Sequence, residues 1–183
     1  SPDKRWLIVG EGVPMTRVRV YDIKNPAKPT STTVILSPTI VTPGEQSHAW
    51  FAVEWSDNNR HVLLSHAFTS AGNAAQEYIL FDRQTATPRN LTRELSLAPT
   101  DELRLFDKRP NQFFILSSQT KVLRTISLSG EPPVALPIQH VLAYKSYNDD
   151  TVLYATDTLL DGTVLTGTVA VVLQQAGRTV ELR

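Results

Sequence analysis

The sequence predicts an all-β fold, an array of about four antiparallel meanders of similar design. A polar corner between two apolar runs recurs along the chain, and the 12 prolines fall between the apolar runs rather than inside them. The clearest corner follows the alternating residues 48–55 and precedes the apolar run 61–65. Its residues are Ser56-Asp57-Asn58-Asn59-Arg60. Alternation with period two is typical of a half-buried strand, so the pattern indicates a strand, a tight turn and a second strand.

The corner returns three more times, at spacings that fit a structural repeat. One copy opens the chain at residues 1–5, and the others lie at residues 107–111 and 148–150. The first apolar residues after the four corners are Leu7, Val62, Phe113 and Val152, which are about 55, 51 and 39 residues apart. We therefore predict a single domain that contains four units. The units are approximately residues 1–38, 48–95, 101–138 and 140–183.

Within each unit we predict consecutive strands joined by turns. In the first unit the strands are residues 5–9, 17–23 and 32–36. In the second unit they are residues 49–55, 61–65, 77–82 and 89–92. In the third unit they are residues 102–106, 112–117, 122–128 and 134–138. In the fourth unit they are residues 140–146, 151–156, 166–174 and 178–182.

The connections are rich in Pro, Gly, Asn and Ser, the residues that favour turns. We predict a hairpin connection at residues 10–14, a loop at 37–47 and a flexible connection at 69–75. Turns are predicted at residues 24–29, 84–88, 129–133 and 175–177. Residues 94–102 are the one stretch that suggests a helical turn, and Pro99 limits its length.

The composition excludes several classes of function. Lys and Arg number 18 and Asp and Glu number 18, so the chain has no excess positive charge with which to hold a polyanion, and we predict no nucleic-acid partner. The absence of cysteine excludes disulfides, thiolate nucleophiles and cysteine-based zinc sites. No apolar run approaches the ~18 residues that span a bilayer, so we predict no membrane segment in this chain.

The sequence predicts no catalytic, cofactor-binding or metal-ligating residues. The four histidines, His48, His61, His66 and His140, are interpreted as ordinary strand or loop residues. His61 and His66 are five residues apart on one strand and therefore face opposite sides of it. The Gly-x-Ser-x-Gly, Gly-x-x-x-x-Gly-Lys-Ser/Thr and Gly-x-Gly-x-x-Gly motifs are absent, and residues 157–162 lack the spacing of an EF-hand loop.

Aromatic side chains concentrate in the predicted strand centres, where packing between sheets explains them. They are Trp6, Trp50, Phe51, Trp55, Phe113, Phe114 and Tyr154. The triplet Asn90-Leu91-Thr92 has the pattern of a glycosylation acceptor, which is relevant only in a eukaryotic secretory pathway.

Several motifs resemble those of TolB-like, WD40-like β-propeller repeats. Ser1-Pro2-Asp3-Lys4-Arg5 and Tyr21-Asp22-Ile23 are similar to the family's Ser-Pro-Asp-Gly-Lys and Tyr-Asp-Leu turns. Phe81-Asp82-Arg83 and the later Leu91-Thr92 resemble the Asp-x-x-x-Gly-x-x-x-x-Leu-Thr end of a blade. The sequence departs from the family at the glycine of the corner. That position is held by Lys4, Asn59 and Arg109.

The resemblance implies a β-propeller-like array, in which each four-stranded meander is one blade. The units contain three, four, four and four predicted strands, and the first unit lacks its innermost strand. We therefore expect the chain to be a fragment of a larger propeller. A β-sandwich of up-and-down strands is the alternative fold, and strand order distinguishes the two.

The resemblance also implies a scaffold. We predict a noncatalytic module that mediates protein–protein interaction, as an extracytoplasmic part of a bacterial periplasmic or cell-surface protein. An open sheet edge would allow self-association with a second copy. One alternative is the substrate-filtering propeller portion of a prolyl-peptidase-like hydrolase whose catalytic domain lies outside this chain. The other is a β-sandwich adhesion domain.

Overall fold

The described part of the chain is all-β apart from one helical turn, as the sequence predicts. The structure, a computed structural model, describes residues 1–11, 17–36, 40–42, 46–105, 112–127, 134–135, 139–148, 151–157, 170–175 and 178–182. Its strands form four antiparallel sheets, which we number from first to fourth in chain order.

The strands follow one another along the chain within each sheet. The first sheet contains β1 (Trp6–Glu11), β2 (Arg17–Asp22) and β3 (Thr30–Ile35). The second contains β4 (Gln46–Trp55), β5 (His61–Ser70), β6 (Asn73–Asp82) and β7 (Thr87–Asn90), and the helical turn α1 (Leu91–Glu94) follows it. The third contains β8 (Glu102–Leu105), β9 (Gln112–Leu116), β10 (Leu123–Ser127) and β11 (Val134–Ala135). The fourth contains β12 (Val141–Asn148), β13 (Thr151–Thr156), β14 (Ala170–Gln175) and β15 (Arg178–Leu182).

Neighbouring strands in every sheet are consecutive in sequence and antiparallel, so each sheet is an up-and-down meander. This order is the one that propeller blades have. A sandwich requires two sheets that exchange strands, whereas the described strands form four separate ones. The chain divides into two compact units, Ser1–Thr100 and Asp101–Arg183, and each contains two of the sheets.

In the first compact unit, one face of the first sheet packs against one face of the second. The apolar layer between them follows the period of two along each strand, because alternate side chains of a strand share a face. Its buried residues are Val18, Val20, Val34, Leu36, Val62, Leu64, Ile79 and Phe81. Trp6, Ile8 and Trp55 pack against this layer and are half-buried. Full burial of one such side chain stabilises the fold by roughly 1.5–3 kcal/mol.

The second compact unit has its own apolar cluster. Its buried members are Phe114, Leu116, Leu123, Val141, Val152 and Tyr154. The ring of Tyr144 packs against the cluster, with its centroid 5.5 Å from that of Phe114. Burial raises the pKa of Tyr154 to about 12, because the ionised phenolate is disfavoured away from water.

The predicted flexible connection at residues 69–75 is wrong. β5 and β6 are ten residues each and are joined by a two-residue turn, with Ser70 paired to Asn73. The two turn residues, Ala71 and Gly72, have φ of 48° and 73°. Positive φ at both central positions is the requirement of a type I′ hairpin, whose twist matches that of the strands. The small and polar residues at 69–75 are therefore the tip of a long hairpin.

The predicted fourth strand at residues 89–92 is shifted. β7 ends at Asn90, and the next residues form α1 instead. Asn90 is the N-cap, because its Oδ1 accepts a hydrogen bond of 3.0 Å from the N–H of Arg93. The helical turn thus precedes the 94–102 stretch that the sequence indicated.

Other boundaries differ by a few residues. Gly10, predicted as part of a connection, lies in β1 and pairs with Val18. β4 begins at Gln46, inside the predicted loop 37–47. The turn at residues 24–29 is confirmed, with the N–H of Lys28 donating to the carbonyl of Asn25 at 3.0 Å. The corner at 107–111 and the turn at 129–133 lie outside the described residues.

The corners that precede β1 and β5 have the same geometry. In each, the serine Oγ accepts from the N–H five residues later: Ser1 from Trp6 and Ser56 from His61, both at 2.9 Å. The fourth residue of each corner, Lys4 and Asn59, has φ of 56°. Lysine therefore adopts the left-handed conformation at the position where the family motif has glycine.

Replacing Lys4 by asparagine is expected to stabilise the chain by about 0.5–1 kcal/mol. Asparagine tolerates left-handed backbone better than lysine does, and Asn59 holds the equivalent place in the second corner. Urea denaturation of the variant and the parent measures the difference. Lys28→Asn is the matched control, because Lys28 is not among the residues with positive φ. An equal change in both variants would contradict the backbone explanation.

Candidate functional site

Two places in the first compact unit bring polar side chains together. One is a buried cluster of His66, Glu77, Thr42 and Asn90, which we call the Glu77 cluster. The other is an open cleft beside Trp6, which we call the Trp6 cleft. They differ in exposure, since Glu77 and His66 are each 2% exposed, whereas most of the side chains that line the cleft are half-buried or exposed.

Strand register creates the centre of the Glu77 cluster. β5 and β6 pair without a register shift, and His66 lies directly opposite Glu77. His66 Nδ1 is 2.9 Å from Glu77 Oε1, and the imidazole stacks on Phe68 with ring centroids 5.0 Å apart. The pair lies on the same strand face as the buried apolar layer, two residues from Leu64 and Ile79.

The remaining donors tie a chain segment to the sheet. Glu77 Oε1 accepts from the N–H of Thr42 at 2.8 Å, and Oε2 accepts from the hydroxyl of Thr42 at 2.7 Å. Asn90 Nδ2 donates to Glu77 Oε2 at 2.8 Å and to the carbonyl of Ile40 at 2.7 Å. The carboxylate thus anchors residues 40–42, which follow the first sheet, onto the second sheet.

The hydrogen bonds decide the ionisation of Glu77. Burial alone raises the pKa of a carboxyl group, but the donors His66, Thr42 and Asn90 outweigh it and lower the pKa of Glu77 below its ordinary value. The carboxylate is therefore ionised at neutral pH and can only accept hydrogen bonds. It follows that His66 Nδ1 carries the proton and donates.

A buried histidine oriented by a carboxylate is also the supporting half of many acid–base sites. In this cluster both carboxylate oxygens accept hydrogen bonds from Thr42, and one of them also accepts from Asn90. The arrangement fixes the path of the backbone, so its physical effect is to hold the first and second sheets in register with their connection.

This cluster was not predicted from the sequence. A signal was present: Glu77, Ile79 and Phe81 alternate on one strand, so a charged side chain shares the face of two apolar ones. A carboxylate in that position requires buried donors. Its partners could not be named from the sequence, since Thr42 is 35 residues away.

The other three histidines are His48, His61 and His140. His61 is on the opposite strand face from His66, as predicted, with Nε2 at 3.8 Å from Asp82 Oδ2. Burial lowers the pKa of His61 despite that carboxylate. His140 Nδ1 is 3.4 Å from Asp157 Oδ1 at an exposed position. The side chain of His48 lies outside the described residues.

The Trp6 cleft has a volume of about 250 Å³. It is lined by Trp6, Val20, Asp22, Thr30, Ser31, Thr32, Phe81, Arg83 and Gln84. The guanidinium carbons of Arg5 and Arg83 lie 4.7 and 3.8 Å from the centroid of the Trp6 ring. Both distances are within the range of cation–π attraction.

An arginine–aspartate clamp occurs at the end of each corner. Arg5 donates to both carboxylate oxygens of Asp22, with Nε 3.0 Å from Oδ1 and Nη2 2.5 Å from Oδ2. Arg60 donates to a single oxygen of Asp82, with Nε 3.0 Å and Nη2 2.6 Å from Oδ2. The clamp explains why an aspartate ends β2 and β6, at two places where the sequence resembles motifs of the family.

The clamps keep both aspartates ionised to low pH. Hydrogen bonds from Arg5 and from the N–H of Lys24 lower the pKa of Asp22 to about 2. Partial burial raises the pKa of Asp82, but the donors Arg60 and Gln84 outweigh it, and the pKa falls to about 2.

Acid is expected to destabilise the chain between about pH 4 and pH 2. The folded pKa of Asp22 and of Asp82 is depressed below the ordinary 3.8, so their contribution is present above that value and is lost as the pH falls towards 2. Urea midpoints measured over a pH series give the profile. In the Asp82→Asn variant, the urea midpoint should fall less steeply as the pH is lowered from about 4 to 2. A midpoint independent of pH in this window would contradict the assignment.

Two further sequence interpretations are decided by burial. Asn90 is 6% exposed and its amide donates to Ile40 and Glu77, so it is not an accessible glycan acceptor in the folded chain.

Of the aromatic set, Phe113, Phe114 and Tyr154 are buried as expected. Trp6 both packs against the apolar layer and lines the cleft. The side chains of Trp50 and Phe51 lie outside the described residues.

Within the described ranges, no group of three or more His, Cys, Asp and Glu side chains is placed to hold a metal ion. Across the same ranges, no helix has the length and apolar character needed to cross a bilayer.

The distant structural neighbours of this chain include two proteins of solved structure. A TolB-assigned protein of Agrobacterium tumefaciens is 12% identical, with a TM-score of 0.47 over 93% of this chain and 62% of its own. A eukaryotic initiation factor is 9% identical, with a TM-score of 0.45 over 97% of this chain and 42% of its own. This chain therefore spans less than two thirds of either protein, and neither resemblance transfers a function to it. No protein-family model matches the chain, and no curated protein matches it.

Proposed function

We propose that this chain is a noncatalytic, propeller-like scaffold that mediates protein–protein contacts, in the extracytoplasmic part of a bacterial periplasmic or surface protein. The observation that carries the proposal is the outer face of the first sheet, the face opposite the apolar layer. On it, Leu7 is 49% exposed and Ile35 is 70% exposed.

The outer face combines apolar, aromatic and arginine side chains. Leu7 pairs across the strands with Tyr21, and Val9 pairs with Arg19, whose guanidinium forms an ion pair with Glu11 on the same face. The inner face of the same sheet already packs against the second sheet. A sheet with apolar side chains on both faces is typical of a layer covered on both sides. A further sheet of the same kind, from a partner or from the rest of a longer protein, would complete that layer.

The edge of β1 is a second contact surface. Among the described strands, β1 pairs only with β2, so its other edge has no strand partner, although the backbone of Trp6 at its start is hydrogen-bonded to Ser1. In a four-stranded unit that edge would hold the innermost strand, which the first unit lacks. We propose that a strand from a second copy or from another protein pairs there.

Charge introduced on the outer face tests the proposal. The double variant Leu7→Lys/Ile35→Lys should lose partners that the parent chain captures by cross-linking in a periplasmic or surface extract. Leu142→Lys is the matched control, since Leu142 is 45% exposed on the fourth sheet. Sedimentation of the purified chain reports self-association in parallel. Capture that is unchanged by the double variant contradicts the proposed surface, and turnover of a small substrate without any captured partner contradicts the noncatalytic role.

A further inference from the structure

Arg83 is held in place but retains free donors. Its Nε donates to the carbonyl of Asn59 at 2.8 Å, and its guanidinium carbon lies 3.8 Å from the Trp6 ring centroid. These two contacts fix the guanidinium at the wall of the Trp6 cleft. Within the described chain no acceptor is recorded for the two terminal nitrogens of Arg83, which therefore remain available to a ligand.

The charge of Arg83 is also uncompensated. The other two arginines of this region are neutralised, Arg5 by Asp22 and Arg60 by Asp82. No carboxylate of the described residues lies within 4.0 Å of Arg83. A planar guanidinium with two free donors matches the two oxygens of a carboxylate, and the pairing is strongest where water is partly excluded.

The shape of the cleft favours a side chain or a chain end over a whole small molecule. Its volume of about 250 Å³ is below the roughly 300–1,000 Å³ of sites for drug-sized ligands. One wall is formed by Thr30, Ser31 and Thr32 of β3, which are exposed. Among the described strands β3 pairs only with β2, so its outer edge can accept an extended peptide by strand addition.

We propose that the Trp6 cleft binds a peptide carboxylate, with the acid on Arg83 and the peptide backbone along the edge of β3. The carboxylate comes either from a glutamate or aspartate side chain or from a chain end. This inference rests on the proposed role in protein contacts and gives the partner a chemistry. It concerns a different surface from the outer face with Leu7 and Ile35.

Three peptides separate the sources of the carboxylate. The first is a capped, extended pentapeptide with a central glutamate between valines and threonines. The second has glutamine in its place, and the third is the glutamine peptide with a free carboxyl end. Titration of the full chain is followed by the NMR signals of the Arg83 Nε–H and the Trp6 indole N–H. Saturable shifts with the glutamate peptide assign a side chain, and shifts with the free-end peptide assign a chain end.

Variants of Arg83 test its role in peptide binding. Arg83→Gln should weaken binding of the acidic peptide roughly tenfold or more, as expected for loss of a charged hydrogen-bonding partner. Arg83→Lys keeps the charge but not the paired donors. Its affinity for the acidic peptide should lie between that of Arg83→Gln and that of the parent. Arg89→Gln is the control, since Arg89 is exposed and pairs with Glu94. The urea midpoint of each variant shows that it is folded.

Three results overturn the inference. They are equal binding of the capped glutamine peptide and the acidic peptides, unchanged affinity in Arg83→Gln, and no saturable shift at millimolar peptide. If Arg83→Gln does not fold, the comparison of the three peptides on the parent chain decides alone. None of these results alters the dependence of partner capture on Leu7 and Ile35, so the two proposals fail separately.

Discussion

Replacing Glu77 by alanine is expected to lower the free energy of unfolding by about 3–5 kcal/mol. The substitution removes a carboxylate that is 2% exposed and leaves the buried donors of His66 and Asn90, and those of the half-buried Thr42, without this acceptor. Each unsatisfied buried donor costs roughly 1–3 kcal/mol. Urea denaturation followed by circular dichroism measures the loss.

Two further variants identify the cause of that loss. Glu77→Gln keeps one carbonyl acceptor but presents an NH₂ group to some of the same donors, so an intermediate loss is expected. Glu94→Ala removes an exposed carboxylate that pairs with Arg89 at the surface, where such pairs contribute about 0–1 kcal/mol. If Glu77→Ala lowers the free energy of unfolding no more than Glu94→Ala does, the Glu77 cluster does not anchor residues 40–42.

Truncation of Phe114 to alanine is expected to destabilise the chain by about 3–5 kcal/mol, through the second compact unit. Phe114 is fully buried, belongs to the apolar cluster of that unit and contacts the ring of Tyr144. The cost has two parts, the lost transfer free energy of the ring and the cavity that it leaves. Thermal and urea unfolding give the magnitude.

Leu142→Ala is the matched control for the cavity. Leu142 lies in β12 of the same compact unit but is 45% exposed. We therefore expect Leu142→Ala to change the free energy of unfolding by no more than about 0.5 kcal/mol. Phe114→Leu should fall between the two, since it retains most of the apolar volume. Equal losses in Phe114→Ala and Leu142→Ala would show that the third and fourth sheets do not share the described core.

The strands could be predicted because their signals are local. The apolar run 61–65 and the strand predicted at 77–82 lie within β5 and β6, and the structure buries Val62 and Phe81 of these strands in the apolar layer. The tip of the same hairpin was misjudged because Ala71 and Gly72 adopt positive φ within a polar stretch, which composition alone does not distinguish from a loop. The helical turn at Leu91–Glu94 was misplaced because a short α1 depends on one cap rather than on periodicity.

What the sequence by itself determined is the all-β class and the order of the meanders. These follow from a period of two, which neighbouring residues express without help from the rest of the chain. The tertiary structure alone decided which distant residues meet. Glu77 accepts hydrogen bonds from Thr42, and the guanidinium of Arg83 lies over the ring of Trp6. Those contacts join residues from different sheets and connections, and their energies depend on burial and distance, which no local pattern encodes.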